Sequence, residues 1–187
     1  MTIEKGADWG EPTEVRSGGI AASGDLAREI GLDASPLPGV VRSWLRLPID
    51  VLEVTLVRRD GDAATHGTPT WVVLGSRFTG PFCVVSSTSF VGGRRMFSRA
   101  HPNDGRFDWL VFEPGFGGRE RFAFWRRLRT ELHLPHPRVT TGSGTTFERK
   151  WTRPLTARFE SGEQVRGVTG LRVVIRPDAD WTHLPTR

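Results

Sequence analysis

Val51-Leu52-Glu53-Val54-Thr55-Leu56-Val57 reads as an extended strand. Successive side chains of a strand point to opposite faces, so Leu52, Val54 and Leu56 share one face. Working outward, the same kind of segment recurs at residues 70–75, 82–88, 107–113, 145–151, 154–160 and 171–176. Residues 58–69, with Asp60-Gly61-Asp62, read as a polar turn region. Two segments carry helical spacing instead. In residues 23–32, Leu26, Ala27 and Ile30 recur at helical intervals, with Ser23 placed to cap the start and Gly31 to end it. In residues 119–133, Phe122, Trp125, Leu128 and Leu132 fall on one face, and Arg119, Glu120, Arg126, Arg127 and Glu131 occupy the rest. Many short strands with Gly and Pro turns and one clear helix predict an α+β fold: a β-rich, sandwich-like domain with a packed amphipathic helix. That domain is expected over residues 50–187, with residues 1–49 as a separate N-terminal segment.

Composition narrows the function classes. A chain of 187 residues can bury an ordinary core without covalent staples. Cys83 is the only cysteine, so no intrachain disulfide can form, which fits a reducing compartment. No run approaches the ~20 apolar residues of a spanning helix, and residues 1–10 lack the apolar stretch of a signal peptide. A cytoplasmic location is expected, with peripheral contact to a membrane as an extension. The formal net charge is +5, carried almost wholly by arginine, since Lys5 and Lys150 are the only lysines. Such charge attracts phosphate, acidic lipid headgroups or nucleic acid. The arginines are interspersed with Asp and Glu, so an arginine-biased composition explains them at least as well.

Local motifs are individually weak. Gly115-Phe116-Gly117-Gly118 precedes a helix, a setting for anion binding, but no Walker lysine follows it and a plain turn is favoured. His133 and His136 lack cysteines or carboxylates at zinc-ligand spacing. Cys83 sits in an apolar strand and is expected to be an inert buried thiol. Pro102-Asn103-Asp104-Gly105 is a tight turn whose carboxylate could also hold a hard cation such as Mg²⁺.

The order of the pieces is more specific. Phe90-Val91-Gly92-Gly93-Arg94-Arg95 is followed by Pro102-Asn103-Asp104-Gly105, then by the arginine-rich helix, Arg153-Pro154-Leu155, Ser161-Gly162-Glu163 and a closing strand into Pro177-Asp178-Ala179. From Pro81 to Pro185 this resembles the C-terminal domain of the bacterial diacylglycerol kinase and lipid kinase family. Upstream, Ser23-Gly24-Asp25-Leu26-Ala27-Arg28 resembles a degenerate form of the family's nucleotide-domain motif, and Leu47-Pro48-Ile49-Asp50-Val51 the segment leading into the second domain. On that resemblance, residues 1–49 are a remnant of a nucleotide-binding domain whose core is missing.

The resemblance implies roles. Asp104, with the carbonyls of His101 and Arg106, would form a structural Mg²⁺ site. Glu163 would be the general base that takes the proton from a lipid hydroxyl. Phe90, Gly92, Gly93, Arg94 and Arg95 would contact lipid or phosphate, and Ser23, Gly24 and Asp25 would be what remains of the nucleotide site. The departures matter as much. Ser161 replaces the family's Asp before Gly162-Glu163, Ser87 stands near a usual Asn, and no Gly-Gly-Asp-Gly-Thr phosphate cradle occurs. Phosphoryl transfer is mainly positioning and charge neutralisation of nucleotide phosphates, so the chain alone is expected to bind ATP inefficiently. The expected partners are a diacylglycerol-like lipid or a membrane surface, together with a nucleotide-domain partner chain or a second copy; ATP enters only if such a partner supplies its site. A truncated reading frame is a further expectation. The alternative is a basic non-catalytic interaction module for a protein or nucleic-acid partner, although no RNA-binding motif supports nucleic acid.

Overall fold

The computed structural model describes residues 24–29, 43–128, 130 and 133–186. A short helix α1 (Asp25–Glu29) precedes strands β1 (Ser43–Arg58), β2 (Ala63–Thr68), β3 (Trp71–Gly75) and β4 (Phe82–Ser86). A small hairpin, β5 (Phe90–Val91) and β6 (Arg94–Arg95), leads to β7 (Phe107–Phe112) and helix α2 (Gly118–Leu128). Strands β8 (Val139–Gly144), β9 (Thr146–Phe159) and β10 (Gln164–Thr186) complete the chain. Eight strands form one antiparallel sheet in the order β2-β1-β10-β9-β3-β4-β7-β8, and β5 and β6 pair separately.

Side-chain contacts show that this sheet is rolled. Three inter-strand steps separate β2 from β9, about 14 Å in a flat sheet. Yet the rings of His66 on β2 and Phe159 on β9 are 5.1 Å apart. Three steps likewise separate β9 from β7, and Trp109 lies 5.0 Å from Phe147. The long strands make the roll by bending at register shifts, at residues 49/51 and 57/58 in β1 and at residues 166/168 and 168/170 in β10. A sandwich-like interior results. One core cluster, with Leu52, Val54, Leu56, Leu74, Val111 and Val173, fills it. A second cluster, with Phe82, Val84, Leu110, Phe112 and Phe124, lies on the other face of β4 and β7. Strand β4 is buried at all five positions, as a strand covered on both faces must be.

The structure departs from the sequence reading at several elements. Residues 63–68, expected as turn, are strand β2, in register with β1 from Leu52↔Thr68 to Val57↔Ala63. Its small and polar residues carry little hydrophobic signal, because an edge strand has one neighbour and little to bury. Segments 145–151 and 154–160 are one strand, β9, unbroken by Pro154. The expected helix of residues 119–133 runs from Gly118 to Leu128, and its buried residues are Arg121, Phe124 and Leu128. Phe122, expected on the packed face, is 70% exposed. The apolar spacing fits both assignments, but Phe124 finds an aromatic cluster and Phe122 does not. The place of Leu132 lies outside the described residues. β1 runs through residues 49 and 50, across the boundary expected between the two segments.

Candidate functional site

The Gly92-Gly93 turn positions most of the residues singled out above. Both glycines have positive φ, 58° and 76°, the geometry that a two-residue hairpin turn requires and that Gly adopts without strain. Phe90 pairs with Arg95 and Val91 with Arg94 across it. Helix α1 packs against this hairpin through two carboxylates four residues apart. Asp25 is only 3% exposed. Its Oδ1 accepts the Gly93 N–H at 2.7 Å, and its Oδ2 accepts the Trp71 indole N–H at 2.8 Å. Glu29 accepts the Ser89 N–H at 2.7 Å and lies 3.0 Å from the Ser89 hydroxyl. Arg28 returns a donor to the Gly93 carbonyl at 3.2 Å. The Asp25 N–H donates to Glu160, which ties the 160–163 turn to the same cluster.

Two expected groups are thus brought together: Gly24 and Asp25 from the nucleotide-motif remnant, and Gly93 from the lipid-contact segment. Ser23 lies outside the described residues. The carboxylate of Asp25 is engaged by donors of this chain. Glu163 stands apart. Its Oε1 lies 3.0 Å from Nδ1 of His66 on β2, and its side chain is half exposed. The carboxylate of this turn that faces the hairpin cluster is Glu160. Sequence reading missed Glu160, Trp71 and His66, because each meets a partner far along the chain; Trp71 is 46 residues from Asp25, and Glu160 is 135 residues from it.

Beside the hairpin, between β3, the 75–78 loop and α2, lies an open cavity of about 370 Å³. Its walls are apolar, with Trp71, Val73, Phe82, Val91, Met96 and Trp125. Gly92 and Arg94 stand at its rim with Arg77 and Arg158, and its lining holds no Asp or Glu. Arg158 donates to the Gly75 carbonyl at 2.9 Å, and the Trp125 indole N–H donates to the Arg77 carbonyl at 3.0 Å.

The 101–108 segment forms a second region. Buried Asp50 on β1 accepts the N–H of Gly105 at 2.8 Å and of Asp178 at 3.0 Å, and its own N–H donates to Pro102 at 2.7 Å. Burial pushes the Asp50 carboxyl above the usual range, and the backbone donors oppose that rise. Asp104 Oδ1 accepts the Arg106 N–H at 2.9 Å, closing the expected turn. Burial, and then the charge of Asp50, raises the Asp104 carboxyl as well. His101 Nδ1 accepts the Asn103 N–H at 3.3 Å, so its ring braces the turn. Among the described residues no three His, Cys, Asp or Glu side chains converge. The neighbouring Asp50 carboxylate, close enough to act on Asp104, is itself engaged by the Gly105 and Asp178 N–H groups. At the glycine-rich entry to α2, Glu120 accepts the Gly117 N–H at 3.1 Å, which caps the helix with the chain's own carboxylate. No helix among the described residues is long and apolar enough to cross a membrane.

No protein-family model matches the chain, and no curated protein sequence matches it. Its fold is similar to solved structures from Bacillus anthracis str. Sterne. A candidate diacylglycerol kinase aligns with a TM-score of 0.51 over 86% of this chain and 66% of that one, at 10% identity. A second candidate diacylglycerol kinase gives 0.46 over 73% and 57%, at 11% identity. A structure described as a diacylglycerol kinase gives 0.42 over 73% and 53%, at 9% identity. The alignment at 0.51 shows a fold like that of a diacylglycerol kinase-type protein. The chain spans 53–66% of the length of the three structures.

Proposed function

We propose that this chain is the lipid-handling part of a diacylglycerol-kinase-like protein and that it holds a diacylglycerol-like lipid in the cavity beside the Gly92-Gly93 hairpin. One observation carries the reading. The cavity has aromatic and aliphatic walls, and the residues expected to contact lipid or phosphate, Gly92 and Arg94, stand at its rim. Its volume of about 370 Å³ lies within the range of small-ligand sites, about 300–1,000 Å³. Apolar walls bury acyl carbon, and rim guanidiniums hydrogen-bond ester or phosphate oxygens.

The catalytic part of the reading is narrower. A phosphoryl donor needs preorganised backbone N–H groups, a cation and a carboxylate around its phosphates. Asp25 is already occupied by Gly93 and Trp71, so the remnant offers no free cradle. These residues alone therefore do not transfer phosphate from ATP, and any kinase activity requires a nucleotide domain beyond them. Asp104 with the carbonyls of His101 and Arg106 holds a structural Mg²⁺.

Titration of the chain with dioctanoylglycerol below its aggregation point tests the binding claim. Saturable binding is expected, weakened at least ten-fold by Val73→Phe, which fills the cavity from a half-buried wall position. Glu163→Gln leaves that binding unchanged. No saturable binding, or equal binding by Val73→Phe, overturns the reading.

A further inference from the structure

Phe78 and Phe122 are the two large aromatic side chains that the described surface leaves most open, at 59% and 70% exposure. Scattered exposed apolar residues are ordinary on a soluble protein. These two are not scattered. Phe78 lines the mouth of the apolar cavity, as does Trp125, and Phe122 lies one helical turn before Trp125 on α2. The hydrogen bond from the Trp125 indole to the Arg77 carbonyl joins α2 to the loop carrying Phe78, so each phenylalanine stands within three residues of one helix–loop contact.

The charge of this edge also departs from the rest of the molecule. The whole chain mixes 26 basic with 21 acidic residues, whereas the cavity mouth has three arginines and no carboxylate. Arg77 lies over the Phe78 ring at 4.6 Å, so cation and aromatic form one unit. Arg126, exposed, follows Phe122 by one turn of α2. Aromatic rings beside arginines match the interfacial layer of a bilayer. The rings enter the headgroup–acyl boundary, and the guanidiniums meet phosphates. A protein partner would need a shaped apolar counterpart for an open-mouthed cavity, whereas a bilayer supplies acyl chain and negative charge together.

We propose that the edge formed by Phe78 and Phe122 around this mouth, with Arg77, Arg94, Arg126 and Arg158, seats the chain on bilayers containing anionic phospholipid. The proposal rests on the lipid-binding reading in one respect: it identifies the bilayer as the source from which the cavity is filled.

Co-sedimentation with vesicles of phosphatidylcholine alone, and of phosphatidylcholine with phosphatidylglycerol, both free of diacylglycerol, tests it. The chain is expected to bind the anionic vesicles at low salt and to lose most of that binding at 0.5 M NaCl, where charge is screened. Phe78→Ser with Phe122→Ser should lower the partition constant at least ten-fold. Arg77→Gln with Arg94→Gln should lower it on the order of five-fold per guanidinium. Arg59→Gln with Arg166→Gln removes the same net charge from exposed positions elsewhere and should leave binding within two-fold. All four altered edge residues are exposed, and unchanged thermal melts confirm that the variants fold. Failure of the unaltered chain to bind anionic vesicles overturns the proposal, as does wild-type binding by the phenylalanine pair, or an equal loss in the Arg59/Arg166 control. Dioctanoylglycerol binding without vesicle binding sinks the docking edge and spares the cavity. Vesicle binding that depends on Phe78 and Phe122, without dioctanoylglycerol binding, supports the edge and sinks the cavity.

Discussion

Arg121 shows what a single buried cation does in this molecule. It is 5% exposed and makes no ion pair among the described residues. Its guanidinium instead donates to three carbonyls, those of Phe116 at 2.7 Å, Ser76 at 3.1 Å and Gly80. It also lies 5.0 Å from the centre of the Phe112 ring. Burial lowers its pKa, but an arginine remains charged at any pH at which the protein folds. Arg121→Met leaves carbonyls without a donor and should destabilise by about 3 kcal/mol in urea denaturation; Arg121→Lys should recover only part, because one ammonium cannot span the three acceptors. A loss below about 0.5 kcal/mol for Arg121→Met would remove its structural role. Cys83 gives a second prediction. Burial pushes its thiol up to about 12, so it is neither ionised nor reachable at pH 8. A thiol reagent should label it only in denaturant, and rapid native labelling would contradict its placement. The sequence had identified Cys83 as inert from the apolar residues around it. Arg121 drew no reading from the sequence, because nothing local announces the carbonyls of Phe116, Ser76 and Gly80 that gather around it.

At the scale of elements, α2 shows how a correct pattern can carry a wrong face. Phe122, Trp125 and Leu128 satisfy helical spacing, but so do Arg121, Phe124 and Leu128. The second set is the buried one. Phe124 sits edge-on to Phe112 at 5.2 Å and to His133 at 5.3 Å. Phe124→Ala should therefore cost about 3–5 kcal/mol, as for a buried aromatic, while Phe122→Ala should stay within about 0.5 kcal/mol. The reverse order in equilibrium unfolding would restore the original face. Strands with a strong apolar pattern, alternating in residues 51–57 and nearly continuous in residues 107–112, were legible because their pattern follows from what they bury. Strand β8 was not: its Thr-Thr-Gly-Ser-Gly stretch reads as loop, and it is a strand because β7 pairs with it. Gly142 is the telling position, since a Cβ there would lie 2.3 Å from the Trp109 ring. The glycine lets the indole lie over the edge strand, a requirement visible only once the two are paired.

For the whole molecule, the sequence supported a β-rich, sandwich-like domain and the order of its Gly-Gly segment, turn and helix. The rolling of one sheet onto itself emerged only from contacts such as His66 with Phe159. That rolling sets His66 beside Glu163, while the β3–β9 pairing and helix α1 bring Trp71 and Glu160 together at Asp25. The cavity has no sequence signature, because its walls come from β3, β4, β5, α2 and the intervening loops. Its two tryptophans make the central claim directly measurable. The chain labelled with 5-fluorotryptophan can be followed by ¹⁹F NMR during titration with dioctanoylglycerol, with resonances assigned by single Trp→Phe substitutions. The account predicts saturable shifts of the Trp71 and Trp125 resonances, with those of Trp109 and Trp151, outside the cavity, unmoved. An unchanged spectrum, or shifts confined to Trp109 and Trp151, would contradict it.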